Sequence, residues 1–320
     1  MNVLSLFDGI SCARVALDRA GIEVNAYMAS EIEKNAIKVS EKNYPDIIRV
    51  GSVVGLEVEG QIDLLIGGSP CTDLSIAKKD RKGLEGDKSC LFWEFVRIMK
   101  ESKPQWFVLE NVASMPKADR DIITREMGVE PVMFNASLVS AQCRKRLFWT
   151  NIPFDLPEDR GILLKDILEA EVDEKFCIKK EMTSNGKTTG RVGHVGDKDS
   201  QTNRVYSAEG KAPTQCKGPG GGALPTLIKV GHVGGNMQGN RVYSTEGKAT
   251  TLSADGGGLA GGTTLVKRIR KLTPIECERL QGLPDNYTEG VATTNRYKCL
   301  GNAFNVDVVA HILGRIKLMY

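Results

Sequence analysis

The stretch Val3-Leu-Ser-Leu-Phe7, followed by Asp8-Gly9 and then by Cys12-Ala-Arg-Val-Ala-Leu-Asp-Arg-Ala20, decides the fold. The first run is short and apolar and predicts a buried strand. The last predicts a helix, ended by Gly21. The same alternation continues outward along the chain. Val24–Ser30 predicts a second strand, and Ile32–Tyr44 a helix stopped before Pro45. Ile47–Val50 and Ile62–Ile66 are further strands, Leu91–Glu101 is helical, and Trp106–Leu109 is another buried strand. Val132–Leu138 and Arg146–Thr150 finish the sheet. Strands alternating with helices predict an α/β domain with a mostly parallel sheet flanked by helices. Sheets of that kind bind ligands beyond the carboxyl ends of their strands.

The 320 residues, 41% hydrophobic and 26% charged, suit one large globular domain and a smaller one. No run approaches ~18 uninterrupted apolar residues, so no membrane span is expected. The run from Met1 to Ile10 contains Asp8 and has no basic residue before it, unlike a signal peptide. Eight cysteines are scattered without a CxxC pair, which predicts neither a zinc cage nor a disulfide framework. They read as reduced thiols of a cytoplasmic protein.

Net charge is only +3, but its distribution is uneven. Residues 179–271 hold 15 Lys and Arg against 6 Asp and Glu, a local +9, and 19 of the 34 glycines. A basic, glycine-rich segment in an otherwise acidic chain is either a polyanion-binding module or a solvated insertion. Here the chain also repeats itself. Val192-Gly-His-Val-Gly196 recurs as Val230-Gly-His-Val-Gly234, and Asn203-Arg-Val-Tyr-Ser207 as Asn240-Arg-Val-Tyr-Ser244. Glu209-Gly-Lys-Ala212 recurs as Glu246-Gly-Lys-Ala249, and a glycine cluster follows each copy. Two copies are too few for a solenoid, so a duplicated recognition unit is the more natural reading. Beyond Lys271, Thr273-Pro274 with Glu276 forms a capping-box start to a helix. Val306–Met319 reads as helical and apolar on one face, packing back on the α/β domain.

Several residues fall where such a sheet binds ligands. Ser69-Pro-Cys71 follows Ile62–Ile66 and the pair Gly67-Gly68. A cysteine taken alone is more often a buried structural thiol. Thr72 to Ser89, however, is long, polar and basic, and reads as a loop over a site. Glu110 closes the strand Trp106–Leu109, as a site acid or as a helix-capping or surface glutamate. In extended chain Gln142, Arg144 and Arg146 share one side, as a site edge or as a solvated one. Phe7-Asp-Gly9 is placed to meet a cofactor at the next helix N-terminus. Glu31 ends the second strand, where an acid commonly holds a ribose hydroxyl. A cysteine protease needs a histidine. His194 and His232 sit in the repeats and His311 near the C-terminus, and none is placed as that base.

The ordered set Phe7-Asp-Gly9, Glu31, Ser69-Pro-Cys71, Glu110-Asn-Val112, Gln142-x-Arg144-x-Arg146 and Gly301-Asn302 resembles the DNA cytosine-5 methyltransferases of bacteria and phages. Ser69-Pro-Cys-Thr-Asp-Leu-Ser-Ile76, Arg81-Lys-Gly-Leu84 and Leu91-Phe92 are similar to the catalytic domains of animal de novo members. Gln238-Gly-Asn-Arg-Val-Tyr-Ser-Thr245, with Thr251-Leu-Ser-Ala254 and Gly256–Gly258, resembles the target-recognition domain of the GCGC-specific bacterial enzyme. Multispecific phage members carry tandem recognition units, and the repeat here is similar in kind. The family departs from this chain at Ser52, where an Asp often stands, and in the reduced glycine loop Asp8-Gly9-Ile10-Ser11.

The resemblance implies a Rossmann-like fold dependent on S-adenosyl-L-methionine, with a smaller, irregular β-rich recognition domain. It implies catalytic and cofactor-binding residues 1–168, a target-recognition domain 169–295 with repeats near 192–229 and 230–267, and a C-terminal segment 296–320. Cytosine C5 is a poor nucleophile, so Cys71 would first add at C6 of a flipped-out base. Glu110 would donate to N3 and meet the exocyclic amine. Arg144 and Arg146, supported by Gln142, would hold the base carbonyl and its phosphate. The cofactor would meet Phe7, Asp8, Gly9, Ile10, Glu31 and Ile32. Its remaining contacts would be Ser52, Val53, Ser69, Leu91, Asn302 and Ala303. Duplex DNA would meet Ser75, Lys79 and Arg81 of the loop, Gln238, Arg241 and Tyr243 of the second repeat, and Gln201 and Arg204 of the first. Arg204 and Arg241 could read guanine or anchor phosphates. The second repeat, the closer match, is expected to be the working reader. The expected assembly is a monomer without a membrane partner, paired with a cognate restriction endonuclease. The alternatives are a tRNA cytosine-5 methyltransferase and a catalytically silent DNA-binding homologue.

Overall fold

The computed structural model describes residues 1–70, 91–176 and 272–319, and eight strands between 182 and 271 in backbone alone. The first stretch folds as its pattern dictates. Strand β1 (Asn2–Leu6) leads to helix α1 (Cys12–Ala20), which stops at Gly21 in the left-handed region at φ 64°. Next come β2 (Ala26–Ser30), α2 (Lys34–Asn43), β3 (Ile48–Gly51), β4 (Leu64–Gly67), α3 (Phe92–Ser102) and β5 (Trp106–Val112). They are followed by α4 (Lys117–Met127), β6 (Val132–Asn135), the short β7 (Gln142–Cys143) and β8 (Lys145–Thr150).

Seven of these strands form one sheet in the order β3-β2-β1-β4-β5-β8-β6. β1 to β5 run parallel, and β8 is reversed against both β5 and β6. The chain winds outward from β1 to β3 and then crosses back to β4, so the switch point lies between β1 and β4. The sheet is apolar on both faces, as a helix-covered parallel sheet must be. Val3, Leu64, Ile66, Val108 and Phe148 face a core shared with α1. Leu4, Leu6, Leu65, Leu109 and Trp149 face a second core under α3 and α4. Gly67 closes β4 against β1 in register with Leu6. A Cβ there would come within 2.7 Å of the Leu6 carbonyl, so only glycine lets the strands meet at the switch point.

Among the boundaries that differ from the sequence reading, three have a visible physical cause. α2 begins at Lys34, because the N–H groups of Ile32 and Glu33 are already bonded to the Glu31 carboxylate. β5 runs on to Val112, because its antiparallel partner β8 continues beside it, so Glu110 lies within the strand opposite Phe148. β6 stops at Asn135, whose side chain accepts from the N–H groups of Ser137 and Arg144 and turns the chain.

The backbone strands between 182 and 271 are β9 (Met182–Thr183), β10 (Arg191–Val195), β11 (Arg204–Tyr206), β12 (Lys229–His232), β13 (Arg241–Ser244), β14 (Ala249–Thr250), β15 (Thr263–Val266) and β16 (Arg268–Lys271). β9 to β11 form one small sheet, and β12, β13, β15 and β16 another. β14 instead pairs with β7.

Leu272, Cys277, Leu280, Leu283 and Tyr287 share one core with α1. α5 (Pro274–Leu280) begins with the expected capping box, in which Thr273 accepts from the Glu276 N–H and Glu276 from the Thr273 N–H. α6 (Thr293–Asn302) and α7 (Val306–Leu313) follow, and a 3-10 turn replaces the last residues of the expected helix. None of the described helices is long and apolar enough to cross a membrane.

Candidate active site

At the carboxyl end of β1 the chain enters Phe7-Asp8-Gly9-Ile10-Ser11. Phe7, Gly9 and Ser11 adopt φ of 57°, 60° and 61°. For Phe7 and Ser11 that conformation costs about 1 kcal/mol or more each, so the surroundings must hold it. The Asp8 side chain does so. Turned inward and buried, it accepts from the Tyr27 hydroxyl at 2.7 Å and from the Ser11 hydroxyl. Ser11 meets Ser40 of α2, which accepts from Arg49 Nη2 at 2.6 Å, and Arg49 Nη1 stands 4.0 Å from the Asp8 carboxylate. Burial pushes the Asp8 pKa above the usual carboxylate range, although these donors oppose the shift. The Asp8 carboxylate is therefore used inside the protein, and it fixes the shape of the loop.

Glu31 secures the loop from the other side. Its Oε2 accepts from the Gly9 N–H at 2.8 Å, and its Oε1 from the N–H groups of Ile32 and Glu33, also at 2.8 Å. Three of its roughly four acceptor positions are filled, leaving one for another donor. Ile32, next in the chain, is 72% exposed. Beyond β3, exposed Ser52 accepts from the Val54 N–H, Val53 is buried and Val54 is exposed. The Ile10 carbonyl accepts from the Tyr287 hydroxyl at 2.7 Å, tying the loop to the C-terminal helices. Leu91 precedes α3 and packs on the second core. Asn302 is exposed at the end of α6, and Ala303 behind it is buried.

The ends of β4, β5 and β8 carry a different cluster. Arg146 Nε meets Glu110 Oε1 at 2.7 Å, with both side chains mostly buried. The register explains the pair: Glu110 lies opposite Phe148 and Arg146 opposite Val112, a diagonal across adjacent antiparallel strands. Gly68 lies beneath them. A Cβ at that position would stand 2.8 Å from Phe304 and 3.1 Å from Glu110 Oε2. Asn111, the next residue, points away from Glu110 and donates to the carbonyl and hydroxyl of buried Ser69, at 3.3 and 3.1 Å. It thereby fixes the chain that leads to Cys71. A small cavity beside the pair is lined by Glu110, Arg144, Arg146, Phe148 and Phe304.

The two arginines read as a pair have separate places. Arg144 is buried and donates to the carbonyls of Gly301 and Ala303, so it clamps the end of α6 beside Asn302. Arg146 alone of the two meets Glu110. Gln142 is fully buried, yet neither atom of its amide has a partner among the described residues. Burial pushes the thiols of Cys12 and Cys277 far up and that of Cys299 to about 12, so these three are poor nucleophiles. Cys71, Ser75, Lys79, Arg81, Gln201 and Gln238 lie outside the described residues. Arg204, Arg241 and Tyr243 lie on β11 and β13, described in backbone alone. Sequence reasoning missed Tyr27, Asn111, Tyr287 and Phe304. Of these only Asn111 carried a signal, since strand alternation turns it away from Glu110. A surface cleft of about 540 Å³ between α4 and β6 contains none of the candidate residues.

The architecture is that of solved methyltransferases. The structure of methyltransferase EhMeth from Entamoeba histolytica superposes with a TM-score of 0.67 at 14% identity, covering 100% of this chain and 99% of that one. The fold is that of the α/β methyltransferases. Residues 1–318 match the C-5 cytosine-specific DNA methylase family, and the chain belongs to it. Type II methyltransferase M.HhaI of Haemophilus parahaemolyticus is 28% identical over 98% of this chain and 93% of its own length. Orphan methyltransferase M.SPRI of Bacillus phage SPR is 26% identical over 100% of this chain and 98% of its own. The protein is a DNA cytosine-5 methyltransferase.

Proposed function

We propose that the chain methylates C5 of a flipped-out cytosine at a specific duplex site through a covalent adduct with Cys71. The Glu110–Arg146 pair at 2.7 Å, beside the Ser69 turn held by Asn111, carries this reading. It sets a proton donor and a fixed cation next to the chain that bears the nucleophile. The Cys71 thiolate adds to C6 while Glu110 delivers a proton at N3, so C5 gains electron density. Arg146 keeps Glu110 in place and faces the base carbonyl. Once C5 carries the methyl group, its proton passes to water, the Cys71 thiolate leaves and the N3 proton returns to Glu110, which restores the ring. The buried amide of Gln142, without a partner among the described residues, suits a site completed by its substrate. The base must leave the duplex to reach this depth.

S-adenosyl-L-methionine, when bound, supplies an electrophilic methyl group. The residues present fit it. Phe7 and the backbone from Asp8 to Ile10 would surround it, and the remaining acceptor position of Glu31 suits one ribose hydroxyl. Exposed Ile32 suits the face of an adenine. Ser52, Val53, Ser69, Leu91, Asn302 and Ala303 complete the expected set. Ser75, Lys79 and Arg81 would close on the DNA, and Gln238 would fill the space left by the base. β14 of the second repeat pairs with β7 at Gln142, which supports that repeat, with Arg241 and Tyr243, as a reader of a GCGC-like site. The protein acts as a cytoplasmic monomer beside a cognate restriction endonuclease.

Replacing Cys71 by Ser tests the mechanism. Methyl transfer to duplex DNA is expected to vanish, with DNA affinity kept within about twofold. Retained transfer contradicts the Cys71 adduct. Affinity for duplex DNA is also expected to fall on the order of a hundredfold between about 50 and 200 mM salt, as for about four neutralised phosphates. A flat response removes the basic segment from DNA binding.

A further inference from the structure

Helix α3 carries a side chain that leaves its own helix to serve another segment. Arg97 is held by two carboxylates of α3. Its Nε and Nη2 donate to Glu94 Oε2 at 3.1 and 2.7 Å, and its Nη1 donates to Glu101 Oε2 at 2.7 Å. Ion pairs three and four residues apart are ordinary on a helix surface and add little stability by themselves. Here they also aim the guanidinium. With Nε and Nη1 committed, Nη2 turns off the helix and donates to the carbonyls of Leu56 at 3.0 Å and Val53 at 3.5 Å. A planar fork can meet two carboxylates and still present a donor edge to backbone, which a lysine cannot.

Both carbonyls belong to one tight turn. The Leu56 N–H bonds back to the Val53 carbonyl at 3.2 Å, and Gly55 takes a left-handed φ of 70°. The turn lies within residues 52–63, which join β3 to β4 without helix or strand. A connection of that length in a compact domain commonly serves a site. Its attachment to the fold is apolar, since Val53, Leu56 and Val58 pack on the second core. The loop is therefore retained without Arg97, and the guanidinium adds the angle at which the turn stands. At the tip of the turn is Val54, 61% exposed. It follows β3 just as exposed Ile32 follows β2, the parallel neighbour of β3. Two aliphatic side chains left to water at adjacent strand ends, beside the remaining acceptor position of Glu31, suit a flat apolar ligand with a polar attachment.

We infer that Arg97 is a positioning residue for the purine end of the cofactor: it holds the Val53–Leu56 turn where Val54 borders the ring. The inference rests on the cofactor site proposed above at the ends of β1 to β3, and adds to it a residue that does not touch the ligand.

The test is isothermal titration calorimetry with S-adenosylhomocysteine and with 5′-methylthioadenosine, which has the purine and ribose without the amino acid. Arg97→Met keeps the apolar stem and removes every donor. Its Kd for both ligands is expected to rise about five- to tenfold, as for loss of a bond from a charged group, with kcat at saturating S-adenosylmethionine within twofold of wild type. Lys100→Met cuts another ion pair of the same helix, to Glu126 at 3.1 Å, and is expected to leave both Kd values within twofold. Arg97→Lys keeps the charge without the fork, and is expected to raise both Kd values at least about threefold should the methionine variant fail to fold. Unchanged Kd values in a soluble Arg97 variant, an equal rise in Lys100→Met, or a rise for S-adenosylhomocysteine alone overturns the inference. A loss of kcat without any change in Kd overturns it as well. Wild type that binds neither ligand strikes the proposed cofactor site itself.

Discussion

The two halves of the carboxyl edge hold their contents by different means. Over β1, β2 and β3 the protein arranges backbone. Left-handed residues at 7, 9 and 11 are pinned by buried Asp8 from below and by Glu31 from the side. Over β4, β5 and β8 it arranges charge, a carboxylate and a guanidinium locked at 2.7 Å above a glycine that leaves them room. Backbone N–H and C=O groups recognise a ligand without changing its chemistry. Opposed charges in a mostly dry site are what move protons and stabilise developing charge. On the proposed function, the first half holds the cofactor and the second transforms the base.

That division has measurable consequences. The largest is expected at Glu110. Glu110→Gln keeps the shape and removes the proton, so kcat is expected to fall about 10²- to 10⁴-fold with KM for S-adenosylmethionine within twofold. Steady-state transfer of labelled methyl checks it, and a matching rise in that KM breaks the division. Gly68→Ala is next. Its methyl meets Phe304 and Glu110, so kcat is expected to fall about tenfold, with a stability loss of about 1–3 kcal/mol in urea denaturation. Unchanged activity would mean that Glu110 has freedom to move. The smallest effect is expected on the cofactor side. Tyr27→Phe removes one hydroxyl from Asp8, and at about 1–1.5 kcal/mol for that bond the affinity for S-adenosylhomocysteine is expected to fall about five- to twelvefold. Isothermal titration calorimetry measures it. Unchanged affinity would detach Asp8 from the cofactor loop.

Legibility in the sequence followed the same line. The parallel strands were readable because helices cover both faces and leave continuous apolar runs such as Leu64–Gly67. The reversal of β8 was not, because Arg146–Thr150 looks alike in either direction. Glu110 could be singled out as an acid on an apolar strand, but its partner could not, since register decides whether Arg144 or Arg146 meets it. The Asp8–Tyr27–Ser11–Ser40–Arg49 network joins four separate segments, and no local pattern encodes contacts of that range. The capping box at Thr273 was fully legible because all its atoms lie within four residues.

One measurement bears most directly on the division between the halves. Methyl transfer to duplex DNA is followed for wild type, Glu110→Gln and Tyr27→Phe while S-adenosylmethionine is varied. The expected result is a split, with Glu110→Gln losing kcat at an unchanged KM and Tyr27→Phe raising KM at an unchanged kcat. Both variants lowering kcat alone, or both raising KM alone, would contradict it.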